Sequence, residues 1–315
     1  MKQMLRNTFK PTLALLLFAI TTPLFLGFVN FLHPLFDSFS HFRVHLLLMA
    51  IPLLLLNAFF YKKPIKLLYL LSFLIASLYL YFILQAFKPI SVVAEEKTKM
   101  LKHIQFNLNF RNEKMDSVVS YFQESNADVI TLEEVTKEHQ GYLMSMKEGA
   151  YPYQAYCEFY PIVGGVAILS KYPFKSENSI CLEKRGMLWS QIVVEEQAIN
   201  IVAIHTLWPY PYGQPEQVEE MQTILKKIKT PLLIAGDFNA AAWSQTVKKI
   251  EKASHTKVIG GMRWTINLKK QVPLIPNFKL SLDHVLISKE FQVKKIFVKK
   301  DLGSDHLPVV TELYY

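Results

Sequence analysis

The sequence predicts an α+β protein in which sheets pack together with helices outside, preceded by three membrane-spanning helices. Three observations carry that prediction. Residues 1–90 hold three long apolar runs, the remainder is mostly strand-like with a few helix-like segments, and no repeat or low-complexity tract interrupts it. The expected organisation is a membrane region at 1–90, a linker at 91–100 and one large domain at 101–315.

The apolar runs lie at Thr12–Leu32, Val44–Tyr61 and Ile65–Phe87. Each is close to the roughly 20 residues that a helix needs to cross a bilayer. Pro23 and Pro52 are tolerated inside such helices. A cleaved leader has a single, shorter apolar core, which three successive runs do not fit. Lys2, Arg6 and Lys10 precede the first run, and Lys62, Lys63 and Lys66 separate the second from the third. Between the first two lie Asp37, two histidines and a single Arg43 at the far end. Positive flanks stay in the cytoplasm, so the N-terminus is expected inside and the third span exits outward. The expectation is a multi-pass protein of the cytoplasmic membrane, partnered by the lipid bilayer. Its large domain is then periplasmic or extracellular, and no obligate protein partner is evident.

The formal charge of +9 invites a nucleic-acid reading, but residues 1–90 hold eight Lys/Arg and one acid and so account for +7 of it. The +2 left on the domain says little about a substrate. Basic residues cluster from Lys248 to Lys300, a pattern read here as a solvated face. Cys157 and Cys181 are too few for a disulfide framework and lack metal-site spacing. An external compartment permits a bond between them, but they read first as ordinary buried thiols.

Along the domain, "LKHIQFNLNF" alternates Ile104, Phe106 and Leu108 against Gln105, Asn107 and Asn109, which is strand periodicity. Met115, Val118, Val119 and Phe122 then recur at helical spacing. "DVITLEEV" is a strand that ends on two acids, and alternation turns Glu133 away from Glu134. "GGVAILSKYPF", "LWSQIVVEE" and "NIVAIHTLWP" read as strands. Residues 216–229 form an amphipathic helix through Val218, Met221, Leu225 and Ile228. "PLLIAGDFN", "LSLDHVLIS" and "HLPVVTELYY" complete the strands. Two-residue spacing puts Asp237 and Asn239 on one side if the strand geometry persists, and Gly236 lets the backbone come close.

Most of these strands run into polar residues of particular kinds: Asn107 and Asn109, Glu134, His205, Asp237 and Asn239, Asp283, and the pair Asp305–His306. A lone Asp at a strand end is usually a turn residue. Recurrence across six strands points instead to one cleft at one edge of a sandwich. Carboxylate and amide oxygens without nearby cysteine suit Mg²⁺ or Mn²⁺ rather than structural zinc. Imidazoles beside such an ion suit hydrolysis of a phosphate ester. Neither a Gly-x-x-x-x-Gly-Lys loop nor a Gly-x-Ser-x-Gly elbow is present, which disfavours nucleotide-driven transfer and serine hydrolysis.

The ordered motifs "NLN", "DVITLEEV", "GGVAILSKYPF", "AIHT", "GDFNA", "LDHVLIS" and "LGSDHLPVV" resemble the endonuclease/exonuclease/phosphatase (DNase I-like) superfamily over Leu101–Tyr315. The resemblance implies a four-layer α/β/β/α sandwich and a divalent-metal phosphoesterase. It implies Glu134, Asn107 and Asp305 as metal ligands. Asp237 and Asn239 would position or activate the attacking water and hold the phosphate. His306 would contact the scissile phosphate, with Asp283 orienting its ring, and His205 would act near the leaving oxygen. Asn109 stands where some members have Asp, and with Trp208 and Tyr210 it is assigned to substrate binding. Glu158 and Glu177 are the candidate acid partners of His205.

The spans together with this domain resemble a bacterial membrane-anchored branch of the superfamily. Anchoring raises the effective concentration of a lipid-linked phosphate, which makes that substrate the first expectation. An extracytoplasmic nuclease, using the late basic cluster and the aromatic loop as a groove, is the alternative. An inactive binding or scaffold protein is a third, which the intact Glu134, Asp237, Asn239, Asp305 and His306 disfavour.

Overall fold

A computed structural model describes residues 2–86, 99–158, 164–175, 179–182, 186–267 and 278–315. The chain divides into two compact units: Met1–Lys88 with Pro209–Pro211 and Trp243–Gln245, and the remainder. Of the expected linker only Lys99 and Met100 are among the described residues.

The first unit contains α1 (Lys2–Phe28), α2 (Pro34–Ser40), α3 (Arg43–Phe60) and α4 (Ile65–Ala86). Stretches of α1, α3 and α4 at Phe9–Phe28, Arg43–Phe60 and Ile65–Gln85 are long and apolar enough to cross a membrane. They pack on one another through Leu17, Ala50 and Leu54, with Tyr69, Phe73 and Ala76 alongside. Their outer faces leave Leu15, Phe18, Phe25, Phe59 and Ile75 more than half exposed. The loop expected after the first span contains the short α2, which begins at Pro34 with the His33 side chain accepting from the Leu35 N–H at 3.1 Å. Arg43 opens α3 as a buried cation. Its guanidinium donates to the Gly27 carbonyl at 2.7 Å and the Tyr79 hydroxyl at 3.2 Å, and stacks on Phe28.

In the second unit the order is β1 (Met100–Asn107), α5 (Met115–Ser125), β2 (Val129–Val135), α6 (Lys137–Met144), β3 (Tyr153–Cys157) and β4 (Gly165–Ser170). There follow β5 (Ile180–Leu182), β6 (Met187–Val194), β7 (Gln197–His205), α7 (Gln214–Leu225), β8 (Leu232–Asp237) and α8 (Gln245–Ser254). The last elements are β9 (Lys257–Val258), β10 (Ile266–Asn267), β11 (Lys279–Leu280), β12 (Asp283–Ile287), β13 (Gln292–Val298) and β14 (Val309–Tyr314).

Two six-stranded sheets form, in the orders β13-β14-β1-β2-β4-β3 and β5-β6-β7-β8-β12-β9, beside a two-stranded β10-β11 ribbon. β1 and β2 are parallel and connected through α5; β7 and β8 are parallel and connected through α7. Parallel neighbours need such crossovers. Three apolar clusters fix the layers. Leu101, Val129, Ile168, Ile201, Ala235 and Val285 meet between the sheets. Met115, Val118, Phe122 and Leu143 cover the outer face of the first sheet, and Val218, Met221, Leu225, Val247 and Ile250 that of the second. The result is the four-layer α/β/β/α sandwich.

Alternation decides what reaches the middle. On β1 the inter-sheet side carries Leu101, His103, Gln105 and Asn107, a progression from apolar to polar toward the C-terminal end of the strand. On β7, β8 and β12 the same side carries Ala203, Ala235 and Val285, and in the next row His205, Asp237 and Asp283. The functional groups are thus the last row of the inter-sheet core.

His103 gives this buried polarity a measurable consequence. The ring is fully buried against the Thr131 hydroxyl at 3.0 Å, and burial pushes its pKa down to about 3. The unfolded chain takes up a proton near pH 6.5 that the folded chain refuses. Its contribution to stability is therefore complete above that pH and is lost at about 1.4 kcal/mol per unit as pH falls toward about 3. Thermal melting at pH 7 and pH 5 should show this loss, and His103→Gln should flatten it; an unchanged slope would contradict the assignment.

Two expectations require correction. Cys157 and Cys181 are not separate buried thiols but a disulfide, with Cα atoms 5.4 Å apart. They lie on β3 and β5, edge strands of opposite sheets that were not read from the sequence, so their meeting was not legible. Glu133 does not turn away from the site. Glu133 keeps the inter-sheet side that Val129 and Thr131 occupy, and a register shift between Leu132 and Val135, with Glu134 at φ 55°, inserts a bulge that brings Glu134 inward as well. Gly164 accommodates this bulge: a Cβ there would lie 2.7 Å from the Glu134 backbone.

Candidate active site

The site sits where the C-terminal ends of the two parallel pairs meet. β1 delivers Asn107, whose Nδ2 donates to Glu134 Oε1 and to Asp237 Oδ2, each at 3.1 Å, tying the two sheets together. Glu134 Oε2 accepts from the Phe110 N–H at 2.9 Å. Asn109 adopts a left-handed φ of 59° and donates through Nδ2 to Asp305 Oδ1 at 2.6 Å. Ser304 holds the preceding turn: its hydroxyl donates to the Asn107 carbonyl at 2.8 Å and accepts from the His306 N–H at 3.0 Å.

On the opposite sheet the strand register places His205 beside Asp237 and Asp237 beside Asp283. Gly236 allows this pairing, since a Cβ there would meet the Ile204 carbonyl oxygen at 1.8 Å. His306 Nδ1 lies 2.8 Å from Asp283 Oδ2, and its Nε2 is 3.6 Å from Asp237 Oδ2. His205 Nε2 lies 3.8 Å from Asp237 Oδ2 and 4.0 Å from Glu134 Oε1. Strand geometry does not persist past Asp237. Asn239 takes φ 43°, its N–H donates to Asp237 Oδ1 at 2.8 Å, and its side chain donates to the Thr206 carbonyl at 2.8 Å.

Asn107, Asn109, Glu134, His205, Asp237, Asn239, Asp283, Asp305 and His306 therefore share one network, buried except for the half-buried Asn109 and Glu134. Trp208 and Tyr210 do not join it; they are 47% and 43% exposed on the loop after β7. Glu158 does not reach His205: it lies 4.0 Å from Lys137 at the surface, and Glu177 is outside the described residues. The buried groups that sequence reasoning passed over are Gln105, Glu133, Thr265 and Arg263. Thr265 accepts from the Asp283 N–H at 3.3 Å, and Arg263 is fixed to the Gly260 and Ile259 carbonyls. Among the described residues, the basic residues from Lys248 to Lys300 scatter over several elements, including α8, β9 and β13, where Lys257 pairs with Glu251 and Lys294 with Glu312. β9 and β13 are sheet edges, a place where lysines discourage further strand pairing.

The electrostatics separate the acids. Burial raises Asp237 to about 6, against the nearby His306 charge. Burial also pushes Asp283 upward, but the His306 charge and bonds from His306, Thr265 and Gln105 outweigh it and hold the carboxyl below its ordinary value. Burial opposes protonation of His306, yet Asp283 and Asp237 hold it well above an ordinary imidazole, so it is an imidazolium. His205 is lowered, chiefly by burial, and is neutral. Burial raises Glu134, with the Phe110 N–H and the Asn107 amide opposing.

Glu134, Asp237, Asp283 and Asp305 bring more negative charge into this interior than His306 balances, a donor set that fits a divalent cation. Among the described residues, Asp237, Asp283 and His306 bring ligand atoms that all lie within 4.8 Å of one another. The Asp283–His306 contact is already a hydrogen bond, which leaves Glu134, Asp305 and the amide of Asn107 as the better-suited ligands.

A sequence model described as the Endonuclease/Exonuclease/phosphatase family matches residues 104–306. No curated protein matches the chain. Among solved structures, TDP2 of D. rerio complexed with single strand DNA product is 18% identical, with 69% of this chain and 100% of that one covered at a TM-score of 0.55. Beta toxin from Staphylococcus aureus with bound magnesium ions is 19% identical, with 69% and 99% covered at 0.51. Sphingomyelinase C from Streptomyces griseocarneus is 15% identical, with 68% and 99% covered at 0.50. At these identities the likeness is one of fold.

Proposed function

This chain belongs to the Endonuclease/Exonuclease/phosphatase family, and we propose from that premise that it is a membrane-anchored, divalent-metal-dependent phosphoesterase acting outside the cytoplasm. The observation that carries the chemistry is His306, clamped as an imidazolium by Asp283 and facing Asp237.

Glu134, Asn107 and Asp305 would hold a cation, Mg²⁺ or Mn²⁺, that supplies Lewis-acid polarisation of the phosphoryl oxygen. Asp237, held near 6, is a competent proton acceptor at neutral pH and takes the proton of the attacking water. The Asn239 N–H fixes one Asp237 oxygen and leaves the other directed at the site. His306 donates from Nε2 to the phosphoryl group as negative charge builds on it, a role that requires the protonated ring. His205, neutral beside Asp237 and Glu134, positions the leaving oxygen.

The substrate we favour is a lipid-linked phosphate ester or phosphodiester. Three helices able to span a bilayer support it, as does the likeness to sphingomyelinase C. The Cys157–Cys181 bond and the basic flanks of the spans support an extracytoplasmic domain. The second reading, an extracytoplasmic nuclease with Trp208 and Tyr210 stacking on bases, draws on the likeness to TDP2 bound to DNA. Detergent-purified full-length protein should be offered a sphingomyelin-type diester, an isoprenoid pyrophosphate and plasmid DNA, with metal present. Turnover of a lipid phosphate is expected; cleavage of DNA alone would replace the lipid reading with the nuclease. A C-terminal periplasmic reporter should be active, and activity only of a cytoplasmic reporter would reverse the orientation.

A further inference from the structure

One row beneath the site, a second polar layer crosses the sandwich. Gln105 on β1 and Glu133 on β2 are both fully buried on the inter-sheet side. The Gln105 amide nitrogen donates to Glu133 Oε2 at 2.7 Å within its own sheet and to Asp283 Oδ1 at 2.9 Å on the other. Asp283 thus has donors on both oxygens, Gln105 on Oδ1 and His306 on Oδ2, with the Thr265 hydroxyl as a further partner. A carboxylate held at one oxygen only still turns about its Cβ–Cγ bond, a broad two-fold torsion, whereas two donors in different directions fix its plane.

From this geometry we infer that Gln105 and Glu133 are positioning residues that set the orientation of the Asp283–His306 pair. The inference rests on the phosphoesterase reading for the meaning of that pair, but the contacts themselves do not depend on it. Gln105 has two amide hydrogens, and each has a destination. Glu133 fixes the amide from the side away from Asp283, so that the second hydrogen is aimed across the inter-sheet gap. The pair also couples the sheets: Gln105 and Glu133 belong to the β1–β2 sheet, and Asp283 belongs to the β8–β12 sheet. A small shift of one sheet against the other would otherwise swing His306 off line. Gln105 and Glu133 touch neither the substrate nor the reacting atoms, and they act only through Asp283.

The test is steady-state kinetics on full-length Gln105→Leu, Glu133→Leu and Glu133→Gln, with bis(p-nitrophenyl) phosphate as probe and thermal melting as the control for folding. Gln105→Leu should lower kcat about tenfold with KM and half-activating Mg²⁺ concentration within about twofold of the parent. Glu133→Leu should do the same, and Glu133→Gln, which keeps an acceptor oxygen for Gln105, should restore most of the rate. The low-field Nδ1 proton resonance of His306 should move in both Leu variants and return in Glu133→Gln, and this readout works on protein with no turnover at all. A parent kcat in Gln105→Leu, or an unmoved His306 resonance in folded protein, would overturn the positioning role. Absence of turnover by the parent with a shifted resonance in the variants would instead sink the phosphoesterase reading and leave the contact intact.

Discussion

Replacing His306 by Ala should lower kcat for phosphate-ester hydrolysis by roughly 10²–10⁴-fold, the range for losing a positioned acid or base. His306 is buried, bonded to Asp283 through Nδ1 and directed at Asp237 through Nε2. Its removal takes away the one imidazolium of the network and leaves Asp283 buried without its cationic partner. His306→Gln should be measured alongside, because it keeps a donor for Asp283 and separates lost charge from lost structure. Both variants should be crippled, with Gln the more stable to heat. A folded His306→Gln protein at the parent rate would show that the imidazolium has no part in the chemistry.

Glu134→Gln should nearly abolish metal-supported turnover and raise the Mg²⁺ concentration for half-activation by about tenfold or more, the scale for disturbing a ligand or its support. The shape of Glu134 is preserved, so the Phe110 N–H can still bond an oxygen, and the change falls on charge. Titration calorimetry of Mn²⁺ into the purified variant reads this without any substrate. Unchanged Mn²⁺ affinity would remove Glu134 from the metal site and direct attention to the cluster of Asp237, Asp283 and His306.

The layers of this fold were legible because buried strands declare themselves. "PLLIAGDFN" and "NIVAIHTLWP" have enough β-branched and apolar residues to be read as β8 and β7 on pattern alone. β13 was not, since Lys294 and Lys295 interrupt its alternation at a bulge on a sheet edge. α6 carried a signal that went unread: Thr136 at its N-cap accepts from the His139 N–H, and the His139 ring returns a bond to the Thr136 N–H.

In the site, the residues were visible one by one at strand ends, but their pairing was not. His205, Asp237 and Asp283 fall in one row only because β7, β8 and β12 adopt a register that no local pattern specifies. Glu133 was misplaced because strand alternation cannot foresee a bulge: Glu133 follows Val129 and Thr131 to the inter-sheet side, and the left-handed Glu134 is what turns the second acid to the same side. Gln105 showed in the sequence only as a polar residue alternating with Ile104, Phe106 and Leu108; the partner that gives it meaning is Asp283, from the other sheet. Trp208 and Tyr210 stand out in the sequence as aromatic residues, but their exposed loop lacks the burial that would link them to the chemistry.

Hydrolysis of phosphate esters by this cluster is proposed to depend on a divalent cation. It is tested most directly by one purified full-length sample assayed on bis(p-nitrophenyl) phosphate as isolated, after EDTA, and after return of excess Mg²⁺ or Mn²⁺. EDTA should abolish turnover and added metal should restore it; turnover that persists undiminished in EDTA would rule out metal-dependent chemistry.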